Sequence, residues 1–210
     1  FAAGSGGIWN AGLSLGSEGQ VVKVSSGALA FGTITTKLLG QKITQYHEAL
    51  NLGNRNKTDT GIISGLTLTY GAPVSTNSYF VARAHIHGSH DDNHMRGYLE
   101  YSVDGGSNWV ADGWTTGTQS GASLNWTSSD KYEYPHMSWE YNTDDNRQST
   151  ASCAVLYQPS VPHSISDFRV RVVIFCNDST TNCMINRTTT QTSEHGNSLL
   201  SSLEVIEYST

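Results

Sequence analysis

The sequence predicts an all-β protein, a sandwich or barrel of antiparallel strands, and three observations predict it. Apolar residues recur at every second position through most of the chain, the period of a strand that buries one face. Only 14% of the 210 residues are charged. The polar load falls on Ser, Thr, Asn and Gly, which suits strands and turns better than the Glu-, Lys- and Arg-rich surface of helices. Clusters of Gly, Asn, Asp and Ser interrupt the alternating runs, as short strands joined by turns require.

Residues 1–16 are rich in Gly, Ala and Ser and read as an extended lead-in. Residues 20–24 and 28–31 are short strand candidates around the turn Ser25-Ser26-Gly27. They hold too few apolar side chains for a core of their own, so they either lean on the main domain or pack against copies of themselves about a three-fold axis. Residues 1–37 are thus expected to form a connector and stem, and 38–210 a head. Within the head, residues 41–52 (QKITQYHEALNL) are ambiguous between helix and strand. Leu66, Leu68 and Tyr70 then point one way, with Thr67 and Thr69 opposite. Phe80, Ala82, Ala84 and Ile86 form a second one-faced set. Leu99, Tyr101 and Val103 form a third, ended by the turn Asp104-Gly105-Gly106. Ala151, Cys153, Val155 and Tyr157 alternate, as do Phe168, Val170, Val172, Ile174 and Cys176. Val173 and Phe175 make that strand apolar on its second face too, which implies a cover: a neighbour in a closed homotrimer, or a central position within a monomer. Residues 177–182 read as a polar turn, 183–189 as a return strand and 199–208 as a closing strand, with Leu199, Leu203 and Val205 buried and Glu204 on the more exposed face.

The net charge is −6, with no Lys/Arg cluster, which argues against nucleic acid as a partner. The longest apolar run, residues 172–176, falls far short of the ~20 residues that span a bilayer, so no membrane insertion is expected. The first basic residue is Lys23, unlike a signal peptide. Phe1 in place of an initiator Met implies an upstream portion. Three cysteines make an odd count, unlike a disulfide framework. Cys176 and Cys183 flank the predicted turn and either pair across a hairpin or stay reduced, while Cys153 packs as a small apolar residue.

Chemistry-bearing residues are few. His85, His87, His90 and His94 cluster beside Asp91, Asp92 and Asn93. On a strand, His85 and His87 share the face opposite Phe80, Ala82, Ala84 and Ile86. Projected toward a three-fold axis the pair would supply six imidazoles, a site for a divalent transition metal. The plainer alternative is two strand histidines hydrogen-bonded in a polar groove or at a subunit interface. The runs Asp91-Asp92-Asn93 and Asp144-Asp145-Asn146 lack the EF-hand order and read as solvated turns. No nucleophile elbow, phosphate-binding glycine loop or solenoid repeat is present, and scattered carboxylates give no argument for a glycosidase. Enzymatic activity and a cofactor are therefore not expected. Trp109, Trp114, Trp126 and Trp139 fall in residues 108–141 with Tyr132, Tyr134 and Tyr141, among Gly, Ser, Thr, Asn and Asp. Aromatic rings among short polar residues suit adaptable recognition surfaces and stack on sugars. Each such ring has core packing as its alternative. Trp114 and Trp126 are the preferred recognition contacts, followed by Trp109, Tyr132 and Tyr134. Asn56, Asn125, Asn177 and Asn186 open N-x-[ST] triplets, glycan acceptors only in a secreted protein.

Two phrases carry a resemblance. Residues 19–32 (GQVVKVSSGALAFG) are similar to the segment preceding the head in tailed-phage fibre and appendage proteins, notably marine, cyanophage-like ones. Residues 167–208, with INR in the penultimate strand and S-x-L-E-V-I-E in the last, resemble the C-terminal end of the same proteins. The resemblance implies a homotrimer with a jelly-roll-like antiparallel β-sandwich head on a short N-terminal stem. It also implies a place on the virion surface, attachment to other virion proteins through the N-terminal side, and binding to a host cell-surface glycan or receptor. A tail-fibre tip is favoured. The alternatives are a capsid decoration or head fibre without a receptor of its own, or a secreted lectin, complement-like or tumour-necrosis-factor-like module.

Overall fold

The structure is a computed structural model that describes residues 20–25, 28–33, 36–55, 60–90, 95–111, 114–115, 136–139, 149–176, 182–187 and 199–209; of 20–25, 28–33, 54, 90 and 114–115 it describes the backbone only. Among these residues all regular structure is strand. The chain divides into two compact units, Phe1–Lys37 with Thr210, and Leu38–Ser209. In the first, β1 (Gln20–Ser25) and β2 (Ala28–Thr33) form an antiparallel ladder from Gln20↔Thr33 to Ser25↔Ala28.

The second unit packs antiparallel sheets face to face. Its strands are β3 (Leu38–Tyr46), β4 (Leu50–Asn54), β5 (Gly61–Gly71), β6 (Ser78–His90), β7 (Met95–Ser102), β8 (Trp114–Thr115), β9 (Met137–Ser138), β10 (Ser149–Tyr157), β11 (Phe168–Cys176), β12 (Asn182–Ile185) and β13 (Ser201–Ser209). The four-stranded sheet runs β5-β11-β7-β9. The seven-stranded sheet runs β3-β13-β6-β10-β8, with β12 joining β6 to β4. From β5 to β12 every connection crosses from one sheet to the other. The ambiguous stretch 41–52 is strand on either side of a short connection at residues 47–49, shared between β3 and β4.

The alternation read from the sequence sets which side chains fill the space between the sheets. Leu66, Leu68 and Tyr70 on β5, Phe80, Ala82, Ala84 and Ile86 on β6, and Phe168, Val170, Val172, Ile174 and Cys176 on β11 are all buried in one cluster. Phe80 stacks on Phe168 at 4.2 Å between centroids, and Tyr70 meets Phe80 edge-on at 5.7 Å. Each such ring contributes roughly 1.5–3 kcal/mol by burial. The two alanines of β6 leave room for these large neighbours.

Two expectations change, the pairing of β12 and the place of Leu199, and two open alternatives resolve. β12 does not return beside β11; it pairs with β4 and β6 in the opposite sheet. Cys176 and Cys183 are therefore no hairpin pair, and both are free, buried thiols. The second apolar face of β11 is covered within a single chain: Val173 and Phe175 pack with Tyr98 and Ala111. Paired hydrogen bonds between Tyr101 and Val110 (2.9 Å each) fold the segment after β7 back on itself. That face thus gives no reason to require a neighbouring subunit. β13 is internal, between β3 and β6. Leu203 and Val205 are buried and Glu204 lies on the more exposed face as expected, but Leu199 precedes the strand and is only half-buried.

One inward position on β13 is charged. Glu207 shares the parity of Leu203 and Val205 and is fully buried. Its carboxylate accepts hydrogen bonds from Tyr70 Oη (2.8 Å), Val74 N (2.9 Å) and Ser75 N (3.1 Å). Burial first, then this bond and the carboxylate's charge, push the Tyr70 phenol well above its ordinary range. Beside it, Ser78 Oγ donates to Ser75 O (2.8 Å) and lies 3.1 Å from His163 Nε2. His163 N bonds Thr76 O at 2.8 Å. A buried polar network thereby fixes the β5–β6 connection.

Candidate functional site

Because Phe80, Ala82, Ala84 and Ile86 face inward, Val81, Arg83, His85 and His87 of β6 must face outward. The register sets Ser152 of β10 and Ser202 of β13 on either side of His85, and Ala154 and Glu204 on either side of Arg83. Ile43 of β3 stands beyond Glu204, 57% exposed. Ile43, Arg83, His85, Ser152, Ser202 and Glu204 line a shallow depression of about 510 Å³ on the outer face of the larger sheet. Arg83 and Glu204 form an ion pair at 3.5 Å across its floor, and Glu204 also accepts from the Gln41 amide. Cys153 borders the same depression; burial pushes its thiol up to about 12, so it stays protonated.

His85 and His87 are brought together as the alternation predicts. Each is tied through Nδ1 to a hydroxyl of β10, His85 to Ser152 Oγ and His87 to Thr150 Oγ1, both at 2.7 Å. Their ring centroids lie 4.9 Å apart with the planes at 86°. Burial, then the charge of His85, hold His87 below the usual imidazole range, favouring its neutral form. His90 is described by its backbone alone, and His94, Asp91, Asp92 and Asn93 lie outside the described residues, as do Asp144, Asp145 and Asn146. Among the described residues no three His, Cys, Asp or Glu side chains gather as metal ligands.

The aromatic set is only partly in view. Trp109 is half-buried on the outer face of the smaller sheet, its ring 4.2 Å from the Arg171 guanidinium. Arg171 in turn holds Glu100 Oε2 through Nε (2.7 Å) and Nη2 (2.6 Å). One face of the Trp109 ring is therefore occupied by its own chain. Trp114 lies on β8, opposite Tyr157 of β10. Trp126, Tyr132 and Tyr134, with Tyr141, fall outside the described residues. Trp139 is in the core, 1% exposed, and is no surface contact.

The turn before Trp109 is stapled by Asp104. Its carboxylate accepts from Asn108 N (2.9 Å), Asn108 Nδ2 (2.6 Å) and Ser102 Oγ (2.7 Å). The Asn108 N–H first, then the Ser102 hydroxyl and the Asn108 amide, hold this carboxyl down to about 2. Gly105 and Gly106 carry the turn at φ 73° and 90°, where a side chain would be strained. The Ser78–His163 pair is no exposed nucleophile and base, since Ser78 is 0% exposed and its proton is spent on Ser75 O. Sequence reasoning passed over Glu207 and His163. The parity of Glu207 with Leu203 and Val205 was a usable signal, whereas nothing local marked His163. Asn186 is no glycan acceptor: it is buried, with φ 55°. Its Nδ2 donates to Tyr46 O (2.8 Å), and its Oδ1 accepts from Ser201 Oγ (2.7 Å).

No protein-family model matches the chain, and no curated protein sequence matches it.

Proposed function

We propose that the protein is a virion appendage, the homotrimeric tip of a phage tail fibre whose head binds a glycan or receptor on the host surface. The reading rests on the two resembling phrases, the first on the β1–β2 ladder and the second running from β11 through β12 to β13. A connectivity that alternates between two antiparallel sheets from β5 to β12 is in keeping with a jelly-roll-like head. The observation that carries the binding role is the composition of the long stretch of sequence between β7 and β10, rich in Trp, Tyr, Ser, Thr and Gly. Loops on a rigid scaffold commonly carry recognition, and three copies per fibre raise a weak single-site affinity by avidity. The support for a trimer is the hairpin unit, whose residues are too poor in apolar side chains to form a core alone.

The test is adsorption. Purified protein, fluorescently labelled, should bind host cells saturably and block infection by the parent phage, and sedimentation should give a particle of three 22.7-kDa chains. A folded monomer at micromolar concentration would remove the trimer. A trimer that leaves adsorption unchanged would remove the receptor-binding role.

A further inference from the structure

The paired imidazoles on the outer face of the larger sheet stand edge-on to one another, each with one ring nitrogen engaged. Both are bound through Nδ1 to β10 hydroxyls at 2.7 Å. Among the described residues no partner takes either Nε2. A hydroxyl accepts from Nδ1–H in the tautomer that leaves Nε2 with a free lone pair, which is the arrangement of a metal-ligating histidine steadied by a partner on its other nitrogen.

The ring separation can be compared with what sharing one ion demands. A metal–nitrogen bond of about 2.0–2.1 Å plus about 1.1 Å within the ring puts each centroid about 3.2 Å from the ion. Two rings at ligand angles between about 90° and 109° then have centroids about 4.5–5.2 Å apart. The observed separation is 4.9 Å, with the rings nearly perpendicular.

The geometry points to His85 and His87 as a two-imidazole chelate for a divalent transition metal of the nickel, copper or zinc class. The remaining positions on the ion would be filled by water. Glu204 is already engaged by Arg83 and Gln41, and the Cys153 thiol is held protonated. Imidazole nitrogens with water select these ions over magnesium or calcium, which take oxygen ligands. The site needs one chain only and stands independently of the proposed role at the host surface.

Calorimetric titration of the full chain with NiCl2 at neutral pH tests it. The wild-type protein should show a saturable Ni2+ site. His85→Gln and His87→Gln should each weaken that site by more than the roughly 10–100-fold typical of losing an outer-shell partner. Thr150→Val with Ser152→Ala keeps both imidazoles but releases Nδ1, and should weaken binding within that roughly 10–100-fold range. Substoichiometric Cu2+ should broaden the ring-proton resonances of His85 and His87 before those of the other histidines, a readout that needs no variant. Absence of a saturable site, wild-type affinity in either single variant, or broadening that begins at other histidines would each overturn the chelate. Wild-type affinity in the hydroxyl double variant would overturn the role given to Thr150 and Ser152.

Discussion

Replacing Glu207 with Gln should destabilise the sandwich by roughly 2–4 kcal/mol, although the shape of the side chain is kept. The Glu207 carboxylate accepts from Tyr70 Oη and Val74 N on Oε2, and from Ser75 N on Oε1. A Gln oxygen can take the place of Oε2, but its NH2 then faces the Ser75 N–H, donor against donor. One bond to a charged acceptor is lost outright, about 1.5–3 kcal/mol, and two fall from charge-assisted to neutral strength, about 1 kcal/mol each. Two offsets reduce that sum. The Val74 and Ser75 bonds are only part-buried, and a neutral amide no longer has to be desolvated as a charge. Glu207→Ala should cost more, because it orphans all three donors. Tyr70→Phe should cost less, because it removes one donor and leaves the carboxylate with two. Urea denaturation at fixed protein concentration measures the series, the concentration being held because self-association shifts apparent stability. A Glu207→Gln variant within about 0.5 kcal/mol of wild type, the range of an inert surface change, would refute the reasoning.

Gly65→Ala should lose roughly 1–3 kcal/mol, the usual cost of overpacking, because a Cβ there would run into the Tyr46 ring; an unchanged urea midpoint would contradict this. Burial pushes His136 down to about 4, and its Nδ1 accepts from Leu99 N at 2.9 Å. With a folded value below the unfolded one, its contribution is full above about pH 6.5 and is lost as pH falls toward 4, by at most about 3 kcal/mol. His136→Asn, which keeps an acceptor without the titration, should flatten wild-type stability loss between pH 7 and 4.5, and parallel pH curves for the two proteins would count against it. If the proposed receptor-binding role holds, Trp114→Ala and Trp126→Ala should each abolish adsorption to host cells without changing the oligomeric state, and wild-type adsorption by both would exclude these rings as receptor contacts. Trp109→Ala should act on stability instead, losing about 1–2 kcal/mol with its stacking on Arg171; an unaltered denaturation curve would mean the ring is idle there.

The inward faces of β5, β6, β10 and β11 were legible because every second residue is apolar and the pleat leaves no other assignment. The His85–His87 face followed from the same parity. Sheet membership was not legible. Residues 168–176 and 182–185 look like a hairpin, since a short polar stretch separates two apolar runs, yet they belong to opposite sheets. Local pattern fixes which side of a strand is wet, while pairing is decided by contacts far apart in sequence. The second face of β11 shows the same limit: Val173 and Phe175 called for a cover, from a neighbouring subunit or from within the chain, and Tyr98 and Ala111 of the same chain supply it. His163 was invisible because its partner, Ser78, lies 85 residues away.

The placement of β13 bears on how the molecule can be made. β3 and β6 both pair with residues 201–209, so each must keep an unpaired edge until the strand furthest along the chain arrives. Every ladder described in the larger sheet joins segments dozens of residues apart, a topology in which folding is slow because loop closure precedes any reward. During that wait the open edges of β3 and β6 can capture a strand of another molecule. Because β13 enters between β3 and β6, sheet completion is nearly all-or-none, and a product lacking residues 201–209 would leave both edges open and prone to aggregation.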